Sequence, residues 1–235
     1  MLLACASVLS ATDKPDKKEK PKAGSVDSGS FGVFVRGQRV VTETFSVQQE
    51  DGVSIIKTHL QEAGTSGEGQ RSEMRLTSAG ELLRYEWTNG TGSLSVTPNN
   101  EFLVEKIASG PSAKPAEQPF LMPNTSVILD NNFFIHREVL AWRYLGADCH
   151  PDASGMKCSQ SDEYGVLVPQ DRISIRVRME LVGREKVMIR GAERELLRLN
   201  LKGDEFSWAL WVDDKDQFKL IRVSIPDANT EVVRD

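Results

Sequence analysis

Cysteine and histidine are the residue types best suited to covalent or metal chemistry, and this chain has three of each. Cys149 and Cys158 bracket the segment CHPDASGMKC, with His150 beside the first. Two chemistries compete for that spacing. A disulfide in an exported protein would close a short surface loop that Pro151 and Gly155 bend. A metal would need Cys149, His150, Cys158 and His136 together, but zinc ligands come in tighter pairs, CxxC or HxxxH, and neither spacing occurs. The expectation is therefore a Cys149–Cys158 disulfide, contributing about 2–3 kcal/mol through loop closure, and no metal.

Catalytic signatures are missing. No serine stands in a GxSxG elbow, and there is no Walker loop, GxGxxG or HExxH. His59, His136 and His150 are the histidines, and no catalytic constellation of a base held near a nucleophile can be assembled from them. No catalytic residue, cofactor or enzymatic activity is expected. A row of arginines, Arg172, Arg176 and Arg178, reads better as a solvated strand face than as an anion site, because acids such as Glu193 and Glu195 can face it.

The chain of 235 residues, 39% hydrophobic and with net charge −5, suits one sizeable β domain. No apolar run is long enough for a membrane helix. Lysines and arginines are scattered and balanced by acids, which argues against a nucleic-acid partner. Residues 1–11, MLLACASVLSA, read as the back of an export signal. Within them Leu2-Leu3-Ala4-Cys5 matches a bacterial lipobox, making Cys5 the candidate lipid attachment site. Residues 12–30 are rich in Lys, Asp, Ser, Gly and Pro and read as a disordered tether. The expected location is a bacterial periplasm or outer membrane, with anchoring through the N-terminal lipid.

From Phe31 to the end, short apolar runs alternate with turn residues, as in an antiparallel meander. Asp51-Gly52 and Asn89-Gly90 are strong hairpin signals. Ile173, Ile175, Val177, Met179 and Leu181 alternate with polar residues, so one face of that strand belongs in a core. Trp208 and Trp211 fall on opposite faces of one strand, so something besides the main core must cover one of them. Residues 109–123 hold four prolines and read as an irregular crossing. One stretch, residues 131–145, predicts a helix that is apolar on most sides and so must be covered on most sides. Asp130, Asn131 and Asn132 are its candidate caps, Gly146 its stop, and His136 and Arg143 its polar stripe. Arg137 and Glu138 interrupt the apolar arc and are expected to snorkel.

This order resembles the bacterial lipoprotein-carrier fold of the LolA and LolB type, and uncharacterised exported families thought to share it. The residues that carry the resemblance are Gly37-Gln38-Arg39-Val40 with Glu43, Leu129 to Phe134 with His136, and Trp208 to Val212 with Leu220, Val223, Ile225 and Pro226. It implies a mainly β protein, a strongly curved antiparallel sheet or half-barrel wrapped around one buried helix, forming a single domain over residues 31–235. It further implies binding of a lipid or other hydrophobic molecule by Phe133, Phe134, Leu140, Trp142 and Tyr144. The rivals are an envelope scaffold with a filled core and a hydrolase-like enzyme on the same sheet.

Overall fold

The computed structural model describes residues 24–110, 112–152, 155–158 and 161–235. The signal segment, Cys5 and residues 12–23 of the expected tether lie outside the described residues. The first meander is β1 (Gly24–Val35), β2 (Gln38–Glu50), β3 (Val53–Glu62), β4 (Gln70–Thr77), β5 (Leu82–Asn89), β6 (Gly92–Asn99), β7 (Phe102–Ala108) and β8 (Ala116–Phe120). A short strand β9 (Val127–Ile128) precedes the helix α1 (Ile135–Asp148) and the small hairpin β10 (Cys149–Asp152) and β11 (Gly155–Cys158). The second meander is β12 (Asp162–Val168), β13 (Ile173–Ile189), β14 (Ala192–Lys202), β15 (Ser207–Asp213), β16 (Lys219–Ile225) and β17 (Thr230–Arg234).

The two meanders form one sheet because the first strand pairs with the last. Gly32 faces Val233 and Val33 faces Val232 across an antiparallel β1–β17 ladder. The result is fifteen strands in the order β8 to β1, β17 to β12, β9. Tight turns make the meander possible: Asp51 and Gly52 both take positive φ, 49° and 79°, as a two-residue hairpin of matching twist requires. The sheet curls far enough that its edges approach. Edge strands β8 and β9 are separated in sequence by residues 121–126 alone, a span of no more than about 25 Å. Leu82 N–H donates to Asn124 O at 2.7 Å, fastening that crossing to β5. Alternation supplies the inner face: Leu197, Leu199 and Leu201 of β14 are all buried against it, as are Val177 and Met179 of β13.

Four expectations need correction. Residues 24–30 are strand, not tether: Ser28 pairs with Ser46 and Gly29 with Phe45, so β2 supplies the order that local composition does not. Residues 116–120 are strand within the proline-rich crossing, and Pro119 is tolerated because β8 lies at the sheet edge. The helix starts at Ile135 rather than Asn131, and it runs through Gly146 to Asp148. Arg137 and Glu138 do not snorkel; both are 0% exposed.

The long β13–β14 hairpin accounts for the two tryptophans. A bulge between Leu181 and Gly183, with Gly183 at φ 143°, offsets its outer half from its inner half. Val187, Ile189 and Leu196 of the outer half then bury Trp211 and Ile221 in a second, smaller cluster. The tip reaches the C-terminus, where Arg190 Nη2 meets Asp235 Oδ1 at 2.5 Å. Trp208 packs against the main core instead.

Candidate functional site

The site is organised by α1, which enters the curved sheet N-terminus first. Glu43, on the inner face of β2 and 0% exposed, meets that end. Its Oε2 accepts the Phe134 N–H at 2.6 Å, and its Oε1 accepts the Ile135 N–H at 3.2 Å and the Thr58 hydroxyl at 3.0 Å. A strand carboxylate thus does what Asp130, Asn131 and Asn132 were expected to do, at the positive end of the helix dipole. Burial pushes the Glu43 carboxyl up to about 7, against the pull of those donors and of Arg137. Asp130 Oδ1 instead closes a local turn by accepting the Asn132 N–H at 2.8 Å, while Oδ2 accepts from Tyr85 and Gln170.

The first helical turn is charged yet enclosed. Arg137 Nη1 donates to Asp130 O and, at 2.6 Å, to Phe133 O. Its guanidinium lies 5.1 Å from the Phe134 ring centre and 5.0 Å from that of Trp208. Burial pulls its pKa down to about 10 despite Asp130, Glu43 and Tyr85. His136 Nδ1 accepts the Asp130 N–H at 3.2 Å, which fixes the ring neutral with its proton on Nε2. Burial, reinforced by Arg137, pushes its pKa down to about 3. Glu138 Oε2 accepts the Leu220 N–H at 2.9 Å and Arg234 Nη1 at 3.0 Å. Arg234 thereby brings the carboxyl groups of Glu138 and Asp27 together. Burial first, then Asp27, raises Glu138 to about 9, so it holds a proton at neutral pH. Arg234 Nη2 holds both Asp27 oxygens at 2.6 and 2.5 Å.

Beyond this turn the surroundings change. Beyond Glu138, α1 and the inner sheet face part on one side only, and Leu140, Ala141, Tyr144 and Leu145 stay buried. A cavity of about 660 Å³ lies between helix and sheet. Its floor is the cross-strand row Val47, Ile56 and Met74, and Val139, Leu140 and Trp142 form the helix wall. Its mouth lies at the strand ends, where Gln49 faces Ser54 and Ser54 faces Leu76. A smaller hollow of about 360 Å³ continues past Trp142 to Leu145 and Phe218. Val26, Trp142 and Gly146 line both. A separate hollow on the outer face of β2–β5 is lined by Lys57, His59, Arg71 and Glu73 among others, and by no residue of α1.

Of the five residues expected to bind ligand, the fold brings Leu140 and Trp142 to this groove. The other three have packing roles: Phe133 is 0% exposed, Phe134 lies under Arg137, and the Tyr144 hydroxyl accepts the Leu181 N–H at 3.0 Å. Trp142 is held by an Nε1 hydrogen bond to Phe218 O at 3.0 Å. Cys149 and Cys158 face each other across β10–β11 and form the disulfide, which removes both thiols from any metal set and is compatible with an exported protein. Sequence reasoning missed Asp27 and gave Glu43 no role. The legible signal was Arg137-Glu138 lying inside an apolar arc.

The geometry defines a β-barrel-like protein, a curved sheet wrapped around one helix. No family model matches the sequence, and no curated protein matches it. Among solved structures, a beta-barrel-like protein of domain of unknown function DUF1849 from Brucella abortus superposes with a TM-score of 0.51 at 5% identity. The match covers 88% of this chain and 94% of that one. The likeness is one of fold, and it supports a barrel-like architecture rather than the lipoprotein carriers in particular.

Proposed function

We propose that this is a non-enzymatic bacterial envelope protein that binds a lipid or other hydrophobic molecule in the groove between α1 and the inner sheet face. One observation carries the reading: where the first helical turn is packed shut, the later turns leave about 660 Å³ floored by Val47, Ile56 and Met74. That volume lies within the range of ligand sites, roughly 300–1,000 Å³. Burial of acyl surface drives binding, at ~0.8 kcal/mol per methylene. The Asp27–Glu138 pair supports binding over hydrolysis, since neither residue lines the groove and Arg234 holds both. Cys5 carries a lipid in this proposal and holds the protein at the membrane.

Gly146 provides the test. Gly146 lines the groove, and a Cβ there meets no atom within 4 Å. Gly146→Trp is expected to abolish displacement of a fluorescent apolar probe while leaving the circular dichroism of the wild type. Native mass spectrometry of wild-type protein from an oxidising compartment should show a co-purifying lipid mass. A bare polypeptide mass that also ignores added fatty acids and phospholipids would favour the scaffold reading.

A further inference from the structure

We propose that the groove selects a single-chain monoanionic amphiphile, a free long-chain fatty acid, with Arg143 as the head-group residue. The inference rests on the binding reading above and narrows it to one ligand class. The chain as a whole has more acids than bases, 34 against 29. The groove lining reverses that balance: it contains one charged side chain, Arg143, and no carboxylate. Arg143 also sits at the correct end. Its Nη1 donates to Thr125 O at 2.6 Å, which fixes the guanidinium beside the 123–126 loop. The turn after β4 is tied to that same loop by the Leu82 N–H to Asn124 O bond. Thr77, Ser78 and Ser126, which also line the groove, therefore gather with Arg143 at the mouth. The floor of Val47, Ile56 and Met74 lies deeper along the same strands.

This is the polarity of an amphiphile inserted tail first. A carboxylate presents two oxygens to the guanidinium fork, and one negative charge matches one cation. A phosphate monoester would bring up to two charges to a site with one partner. A charge-assisted hydrogen bond at a half-buried site contributes enough to change affinity by about tenfold.

The experiment compares palmitate with hexadecanol, which share a tail and differ in the head, on the full protein by probe displacement. Palmitate is expected to bind about tenfold tighter than hexadecanol. Arg143→Gln should bring palmitate down to the hexadecanol level, and Arg143→Lys should restore much of the difference. Equal binding of the two probes, unmoved by Arg143→Gln, would overturn the head-group assignment and leave the groove as a binding site. Binding of dipalmitoyl phosphatidylglycerol as tightly as palmitate would overturn the single-chain assignment. Binding of none of the probes would overturn the underlying reading as well.

Discussion

The two ends of α1 meet the same sheet in opposite ways. At Ile135–Glu138 the helix presents charges, and every one is enclosed: Glu43 takes the free N–H groups, Phe134 and Trp208 flank Arg137, and Leu220 and Arg234 hold Glu138. At Val139–Ala147 it presents mostly apolar side chains; Ala141, Tyr144 and Leu145 are packed, while on the other side Val139, Trp142 and Gly146 border open space. A sequence reader expects the reverse, with polar turns wet and apolar turns packed. The difference shows that the buried charges position the helix, because each needs a partner at a definite distance. Apolar contact is tolerant of spacing and can leave room. The way to break this contrast is to remove the polar anchor. Arg137→Ala deletes a fully buried side chain that donates to Asp130 O and Phe133 O. The loss should be about 4 kcal/mol in denaturant unfolding, from the cavity and the orphaned carbonyls together. A loss below 1 kcal/mol would mean that the first turn does not anchor the helix.

At the other end the anchor is covalent. The β10–β11 hairpin follows α1 directly, and the Cys149–Cys158 bond closes it. Cys149→Ser with Cys158→Ser should lower unfolding stability by about 2.5 kcal/mol through the denatured chain. The mass of the native protein should be two hydrogens below that of the reduced form. Because the groove opens at this end, the double variant should also bind an apolar probe more weakly than the Arg137→Ala protein does under folding conditions.

The proton on Glu138 makes a third distinction, one of slope. Folded Glu138 holds its proton to about pH 9, whereas the unfolded side chain gives it up near 4.5. The native state therefore binds more protons between these values, and stability falls as pH rises from about 5 to 9. Glu43, raised to about 7 by burial, adds to the decline over the lower part of that window. Glu138→Gln removes the larger contribution and should flatten the profile above pH 7. An unchanged slope in that variant would show that the Asp27–Glu138 pair is not protonated in the native state.

How much of this was readable beforehand follows the same divide. Period-2 alternation and turn pairs such as Asp51-Gly52 are local, so the meander was legible, as was the single helix from its apolar arc, whereas the curvature of the sheet came only from the resemblance. The cysteine spacing, also local, made the disulfide legible. Glu43 and Asp27 were not readable, since their roles depend on partners 91 and 207 residues away, Phe134 and Arg234. The order of residues 24–30 also comes from non-local pairing with β2. For the groove, Trp142 was a sound guide and the other aromatic residues were not. Phe133 and Phe134 attract attention by size, but they belong to the anchored turn, and the open turn is written in Val139, Gly146 and Ala147.

Gly146 isolates the open end from the closed one with the smallest change. It was expected to stop the helix, yet α1 passes through it and ends two residues later. Its φ lies outside the left-handed region and a Cβ meets nothing within 4 Å. Glycine in a helix costs about 0.5–1 kcal/mol relative to alanine, and no local geometry here offsets that cost. Gly146→Ala should therefore raise Tm by about 2–3 °C. A single methyl leaves the groove passable, so probe affinity should stay within about twofold of wild type, whereas the tryptophan at the same position closes it. If alanine lowered Tm, the glycine would be needed by the helix itself. If alanine raised Tm and abolished binding, the groove would depend on mobility of this last turn and not on the space beside it.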